Sequence, residues 1–182
     1  PHVLVFVDSP MAVSVTEVFL RHPGLFDEDM RRLLLTGKSP FQFPGLTMVR
    51  SAGESKAINR IRGTAVIIAG SGMCTGGRIK HHLVNNIGRQ ESTILFVGYQ
   101  AEGTLGREIL SGAVQLRILG QTYRRRARVL KINGFSAHAD QEELLRWLKG
   151  VQKPPRRLFL THGEPPAVDA LATAVKLHLG WP

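Results

Sequence analysis

The sequence predicts an α/β protein: a largely parallel sheet with helices on both faces, ending in a β-α-β-α section that belongs to a different sheet. Short aliphatic runs recur at residues 3–7, 64–69 and 93–97, and each reads as a strand buried on both faces. Amphipathic helical stretches with recognisable caps separate these runs. A chain of 182 residues is also long enough to bury a core of its own.

The elements follow in order. Val3-Leu4-Val5-Phe6-Val7 leads into Asp8-Ser9-Pro10, a helix start with proline at the first helical position, and that helix runs to about Leu20. Asp27 or Asp29 caps a second helix reaching Leu35, and residues 37–44 read as a loop. Ser51 and Glu54 fit a capping box, each satisfying a free N–H at the start of a short helix that ends near Ile61. After the strand at 64–69 comes a glycine-rich turn, then a helix from Arg78 to about Asn86, the strand at 93–97 and a helix over 104–110. From Gln115 the texture changes to short β-like stretches, 115–119 and 126–132, with alternating charge, and this marks a boundary. The tail returns to strand and helix: Asp140-Gln141-Glu142-Glu143 opens a helix closed by Gly150, Leu158-Phe159-Leu160 is a strand, and Pro165-Pro166 opens the last helix.

Composition narrows the function. The chain carries 24 Lys and Arg against 14 Asp and Glu, a net charge of +10, which suits an anionic partner without naming it. The densest basic stretch is Tyr123-Arg124-Arg125-Arg126-Ala127-Arg128, read equally as a phosphate track or as a charged strand edge that resists edge pairing. One cysteine, Cys74, excludes an internal disulfide and any Cys-x-x-Cys zinc knuckle, and a reducing, cytoplasmic setting is expected. No apolar run approaches a membrane span. The start at Pro1-His2-Val3 and the stop at Trp181-Pro182 read as a piece of a longer protein.

Two histidines stand out by context. His138, in Phe135-Ser136-Ala137-His138-Ala139-Asp140, and His162, in Thr161-His162-Gly163-Glu164, each follow an apolar strand-like run and precede a helix. Ligands in α/β proteins bind at such carboxyl ends of strands. Each is followed closely by a carboxylate, Asp140 or Glu164, yet a metal site needs three or four ligands and no His-x-His-x-Asp-His cluster supplies them. The turn Gly70-Ser71-Gly72-Met73-Cys74-Thr75-Gly76-Gly77 fails as a phosphate loop, with Arg78 where the lysine belongs and Ile79 where a hydroxyl should meet magnesium. A backbone anion site and a plain tight turn both remain open there. His81 and His82 are adjacent on a helix and point in different directions, so they read as surface or packing residues, as do His2, His22 and His178.

Five ordered blocks then carry a resemblance. Val5-Phe6-Val7-Asp8-Ser9-Pro10-Met11-Ala12, Ala69-Gly70-Ser71-Gly72-Met73, Gly98-Tyr99-Gln100-Ala101-Glu102-Gly103-Thr104-Leu105-Gly106 and the two histidine motifs occur in this order in β-CASP nucleases of the metallo-β-lactamase superfamily. The resemblance to these cleavage-factor and RNase J-like enzymes covers almost the whole chain. It implies a three-layer α/β/α β-CASP domain over 1–122, lacking its first elements, and the returning C-terminal β-α-β-α segment of a metallo-β-lactamase fold over 123–182.

The same resemblance implies a zinc-dependent ribonuclease acting in RNA processing or 3′-end cleavage. By position, His162 resembles a zinc ligand, and His138 resembles the residue that contacts the scissile phosphate and protonates the leaving oxygen. Ser136 and Ala137 would add phosphate contacts, and Asp140 and Glu164 would orient the imidazoles. Histidine rather than valine at the last motif favours RNA over DNA. Two zinc ions are implied, with most of their ligands in an absent N-terminal metallo-β-lactamase domain, so this chain alone is expected to be inactive. Self-association through the surface facing that domain is a further expectation. The competing reading is a non-catalytic RNA-binding or scaffold subunit of an RNA-processing complex.

Overall fold

A computed structural model describes residues 3–135 and 138–181 of the chain, which divides into two compact units after Lys131. In the first unit, β1 (Leu4–Asp8) lies between β2 (Leu46–Met48) and β3 (Ala65–Ala69), parallel to both, with Val5 beside Leu46 and Val66 and Asp8 beside Ala69. The local sequence explains each entry into helix. Ser9 accepts from the Ala12 N–H at 3.3 Å and Pro10 opens α1 (Pro10–Arg21). Asp27 accepts from the Met30 N–H at 2.8 Å and caps α2 (Glu28–Leu35). Ser51 and Glu54 close a reciprocal capping box on α3 (Ala52–Ile58). Phe6 packs with Val49 and Ile58 in a small core beneath α3.

The rest of this unit is built on a second core. Helix α4 (Ile79–Asn86), β4 (Thr93–Phe96), α5 (Leu105–Leu110), β5 (Gln115–Ile118), β6 (Gln121–Arg124) and β7 (Arg128–Lys131) follow, with β7 parallel to β4 and β5 antiparallel to β6. Ile87, Ile109, Leu116 and Ile118 are completely enclosed, alongside Cys74, Leu83 and Phe96. Each such aliphatic side chain contributes roughly 1.5–3 kcal/mol by leaving water. Burial also pushes the Cys74 thiol up to about 11, so it is neutral at physiological pH.

Two features depart from the sequence expectations, the strands β2 and β6 and the open faces of the parallel strands. β2 and β6 form although their short polar or mixed sequences give little strand signal. The change of texture at Gln115 coincides with the start of the β5–β6 hairpin, whose Leu116 and Ile118 pack in the second core. Alternate positions of the parallel strands are open rather than covered on both faces: Val66, Ile68, Leu95 and Leu130 are each about half exposed.

The second unit holds α6 (Gln141–Lys149) and α7 (Pro165–Leu179), packed through Leu148, Val175 and Trp181. Asp140 and Glu143 form a capping box on α6, and Gly180 ends α7 in the left-handed conformation. The expected strand at 158–160 does not form. Leu158 packs against the helices and Phe159 is exposed, the alternation of a strand, but among the described residues of this unit there is no strand to pair with. Among the described residues no helix is long and apolar enough to cross a membrane.

Candidate functional site

Two places concern function, one in each unit: a buried polar cluster that only the fold assembles, and the histidine motifs that the sequence singles out. In the first, Asp8 ends β1 fully buried, and its carboxylate is surrounded by donors from α3, from α4 and from Arg78 just ahead of α4. Ser55 of α3 donates its hydroxyl at 2.6 Å, His82 of α4 meets the same oxygen through Nε2 at 2.6 Å, and the Arg78 guanidinium pairs with the other oxygen. Burial pushes the Asp8 carboxyl up, but the hydrogen bonds from Ser55, His82 and Arg78 and the Arg78 charge outweigh it and hold it below the ordinary carboxylate range. Arg78 is further spent on the carbonyl oxygens of Val49 at 3.2 Å and Arg50 at 2.9 Å. Among the described residues, His82 Nδ1 is buried with no hydrogen-bond partner.

The glycine-rich turn above this cluster closes on itself. The Ser71 hydroxyl accepts from the N–H groups of Thr75 at 3.1 Å and Gly76 at 3.2 Å, while the N–H of Cys74 goes to Ser71 O and that of Ile79 to Gly70 O. Four of the N–H groups that could face an anion, those of Cys74, Thr75, Gly76 and Ile79, are therefore already used within the turn. Gly77 is required here, because at φ +74 an added Cβ would lie 2.5 Å from Gly70 O. The loop before α5 is tied to the same turn: Gln100 donates to Gly72 O at 3.0 Å and the Gly106 N–H to Met73 O at 3.0 Å. Three of the blocks that carry the resemblance therefore interlock as a scaffold.

The second place is the pair of histidines in the second unit. His138 is exposed two residues ahead of Asp140, whose Oδ1 accepts from the Glu143 N–H at 2.9 Å as the cap of α6. Ser136 and Ala137 lie outside the described residues. His162 is exposed between the extended 158–160 segment and α7, and its backbone takes φ +68, a left-handed conformation uncommon outside glycine. Glu164 sits half-buried at the N-cap of α7.

The donor chemistry fits one corner of a zinc site. An exposed imidazole on a short turn suits a tetrahedral ion, but no three His, Cys, Asp or Glu side chains converge among the described residues. What sequence reasoning missed is the Asp8 cluster: Ser55, Arg78 and His82 are 47 to 74 residues from Asp8, and only the fold brings them together. The available signal was a carboxylate at the end of a strand that is otherwise wholly apolar.

Comparison with known proteins places these features in a family. Residues 1–109 match the family model described as the Beta-Casp domain, and residues 122–182 match the Zn-dependent metallo-hydrolase RNA specificity domain. The chain is 42% identical over 177 residues to Ribonuclease TTHA0252 of Thermus thermophilus, covering 97% of this chain and 40% of that protein. It is 32% identical over 181 residues to the transcription termination factor FttA of Methanosarcina mazei, covering 96% of this chain and 28% of the factor. The match to FttA of Pyrococcus abyssi is also 32% identical, over 187 residues, with 96% and 28% covered. The chain thus spans well under half the length of these relatives. With a Beta-Casp match over more than half its residues, the chain belongs to the β-CASP family of the metallo-β-lactamase superfamily.

Proposed function

We propose that this chain works as part of a zinc-dependent ribonuclease that hydrolyses RNA phosphodiesters in RNA processing or 3′-end cleavage, in the cytoplasm. The observation that carries the reading is His162, an exposed imidazole on a left-handed turn inside a segment that matches a metallo-hydrolase RNA specificity domain. A strained, solvent-facing polar residue with no packing role points to function. The names of the similar proteins, a ribonuclease and a transcription termination factor, support RNA as the substrate.

In this reading His162 ligates one of two zinc ions, most of whose ligands lie outside these 182 residues. His138 contacts the scissile phosphate and protonates the leaving oxygen, with Ser136 and Ala137 as further phosphate contacts and Asp140 and Glu164 orienting the histidines. Asp140 already serves as the α6 cap through Oδ1, which would fix the backbone just after His138. Residues 1–122 are the β-CASP part and 123–182 the returning part of the metallo-β-lactamase domain. Alone, the chain neither holds the two-metal centre nor cuts RNA.

The test is RNA cleavage and zinc content of the full-length protein with His162→Ala and His138→Ala. We expect His162→Ala to lose zinc and cleavage together. His138→Ala should keep zinc and lose roughly 10²–10⁴-fold in rate, the usual share of a general acid. Full zinc content and full cleavage in His162→Ala would overturn the reading.

A further inference from the structure

From Ile109 to Ala139 the chain contains no Asp or Glu, and it holds Arg117, Arg124, Arg125, Arg126, Arg128 and Lys131. The structure sorts these cations by use. Arg125 is spent on structure: its guanidinium donates to the carbonyl oxygens of Ala113 at 2.9 Å, Ala127 at 3.1 Å and Gly112 at 3.1 Å. Arg117 and Arg124 are placed otherwise. In the hairpin register Gln115 pairs with Arg124 and Arg117 with Thr122, so these four side chains share one face, opposite the buried Leu116 and Ile118. The two arginines are diagonal neighbours on that face, and Arg126 and Arg128 continue the exposed cationic line beyond the hairpin.

Among the described residues none of Arg117, Arg124, Arg126 and Arg128 makes an ion pair. Glu91, the carboxylate just ahead of β4, is already taken by Arg89 at 2.9 Å. Like charges set side by side across a strand pair oppose folding, so this face is not arranged for stability. Its small polar neighbours, Gln115 and Thr122, are hydrogen-bonding groups of the kind that contact phosphate oxygens.

We infer that the outer face of the β5–β6 hairpin, with Arg117 and Arg124 at its centre and Arg126 and Arg128 extending it, is a docking strip for the phosphate backbone of single-stranded RNA. The choice of RNA among polyanions rests on the ribonuclease reading above. The strip reads charge and not base identity, so it holds the strand and leaves sequence preference to other parts of the protein.

The test uses the full-length protein and a fluorescent single-stranded RNA, with affinity measured across a salt series. Arg117→Gln/Arg124→Gln should bind roughly tenfold more weakly at 0.1 M salt, equally for unrelated sequences, and its log–log salt slope should fall by about 1.4, the release expected for two lost phosphate contacts. Arg117→Lys/Arg124→Lys should restore most of the binding, because a phosphate track needs charge. Thermal melting should be unchanged in the Lys pair and unchanged or slightly raised in the Gln pair, since both side chains are exposed and their mutual repulsion is lost. Wild-type affinity and slope in the Gln pair would overturn the strip, and self-association of that variant would then assign the arginines to guarding a strand edge. Wild-type protein that cuts no RNA would defeat the ribonuclease reading, while the binding comparison would still decide the strip by itself.

Discussion

Asp8 and His162 are both polar residues that follow a short apolar run, and the two units treat them in opposite ways. Asp8 is completely enclosed and every donor around it is aimed at its two oxygens. His162 stands in solvent on a turn whose backbone is uncomfortable for it. The first arrangement puts a charge to work inside the fold, fastening β1 to α3 and α4. The second leaves an imidazole available at the cost of local strain, which is what a ligand or substrate contact requires. A polar residue after an apolar run is thus a nomination only, and how far the rest of the chain satisfies it separates the Asp8 scaffold from the role proposed for His162.

The comparison breaks most visibly at Asp8. Asp8→Ala leaves Arg78 and His82 facing each other around a missing carboxylate, and removal of one partner from a buried charged network costs about 3–5 kcal/mol. Denaturant unfolding of the variant measures it, and a midpoint equal to wild type would show that the cluster holds nothing together. The sign of the pH effect follows from the lowered carboxyl pKa. The contribution is complete above the unfolded pKa of about 3.9 and fades as pH falls through the lower folded value. Wild type should lose stability below about pH 4, and Asp8→Ala should lose less over the same acid range.

A smaller effect separates the turn from its ligand-binding alternative. Gly77→Ala combines a left-handed backbone with a Cβ driven against the Gly70 carbonyl, and we expect a loss of about 2 kcal/mol. Full stability in this variant would mean that the turn opens readily, which would free its N–H donors and revive the anion site. The closure of those donors on Ser71 argues for the loss.

Much of this fold can be read in the sequence, because helix starts are local chemistry. Ser9-Pro10, Asp27, Ser51 with Glu54, and Asp140 with Glu143 all act within four residues, and each caps the helix it announces. What the sequence conceals is pairing. β6 is polar, and its hairpin turn places Leu119 and Gly120 at φ 48 and 83, a conformation usually announced by Asn-Gly rather than Leu-Gly. Leu158-Phe159-Leu160 shows the converse, a strand pattern without a neighbour to complete it. The candidate site divides the same way. His138 and His162 are visible through their motifs, whereas the Asp8 cluster is assembled from β1, α3 and α4 with its N-cap Arg78, far apart in sequence, and has no local signature.

The smallest effect is the sharpest, because its sign differs from the others. At His162 the left-handed backbone is unfavourable for a residue with a Cβ by about 1–2 kcal/mol, while glycine there gives back about 0.5–1 kcal/mol through its freer unfolded chain. His162→Gly should thus leave the protein as stable as wild type or up to about 1.5 kcal/mol more so. His162→Ala, which keeps the Cβ, should gain nothing. Both variants should abolish RNA cleavage by the full-length protein to the same extent, so that stability and activity move apart at this position while they fall together at Asp8. Thermal melts read alongside cleavage rates make the comparison. If His162→Gly instead melted well below wild type, the imidazole would be holding the turn before α7 in place, His162 would join Asp8 as scaffold, and the site would have to be sought elsewhere.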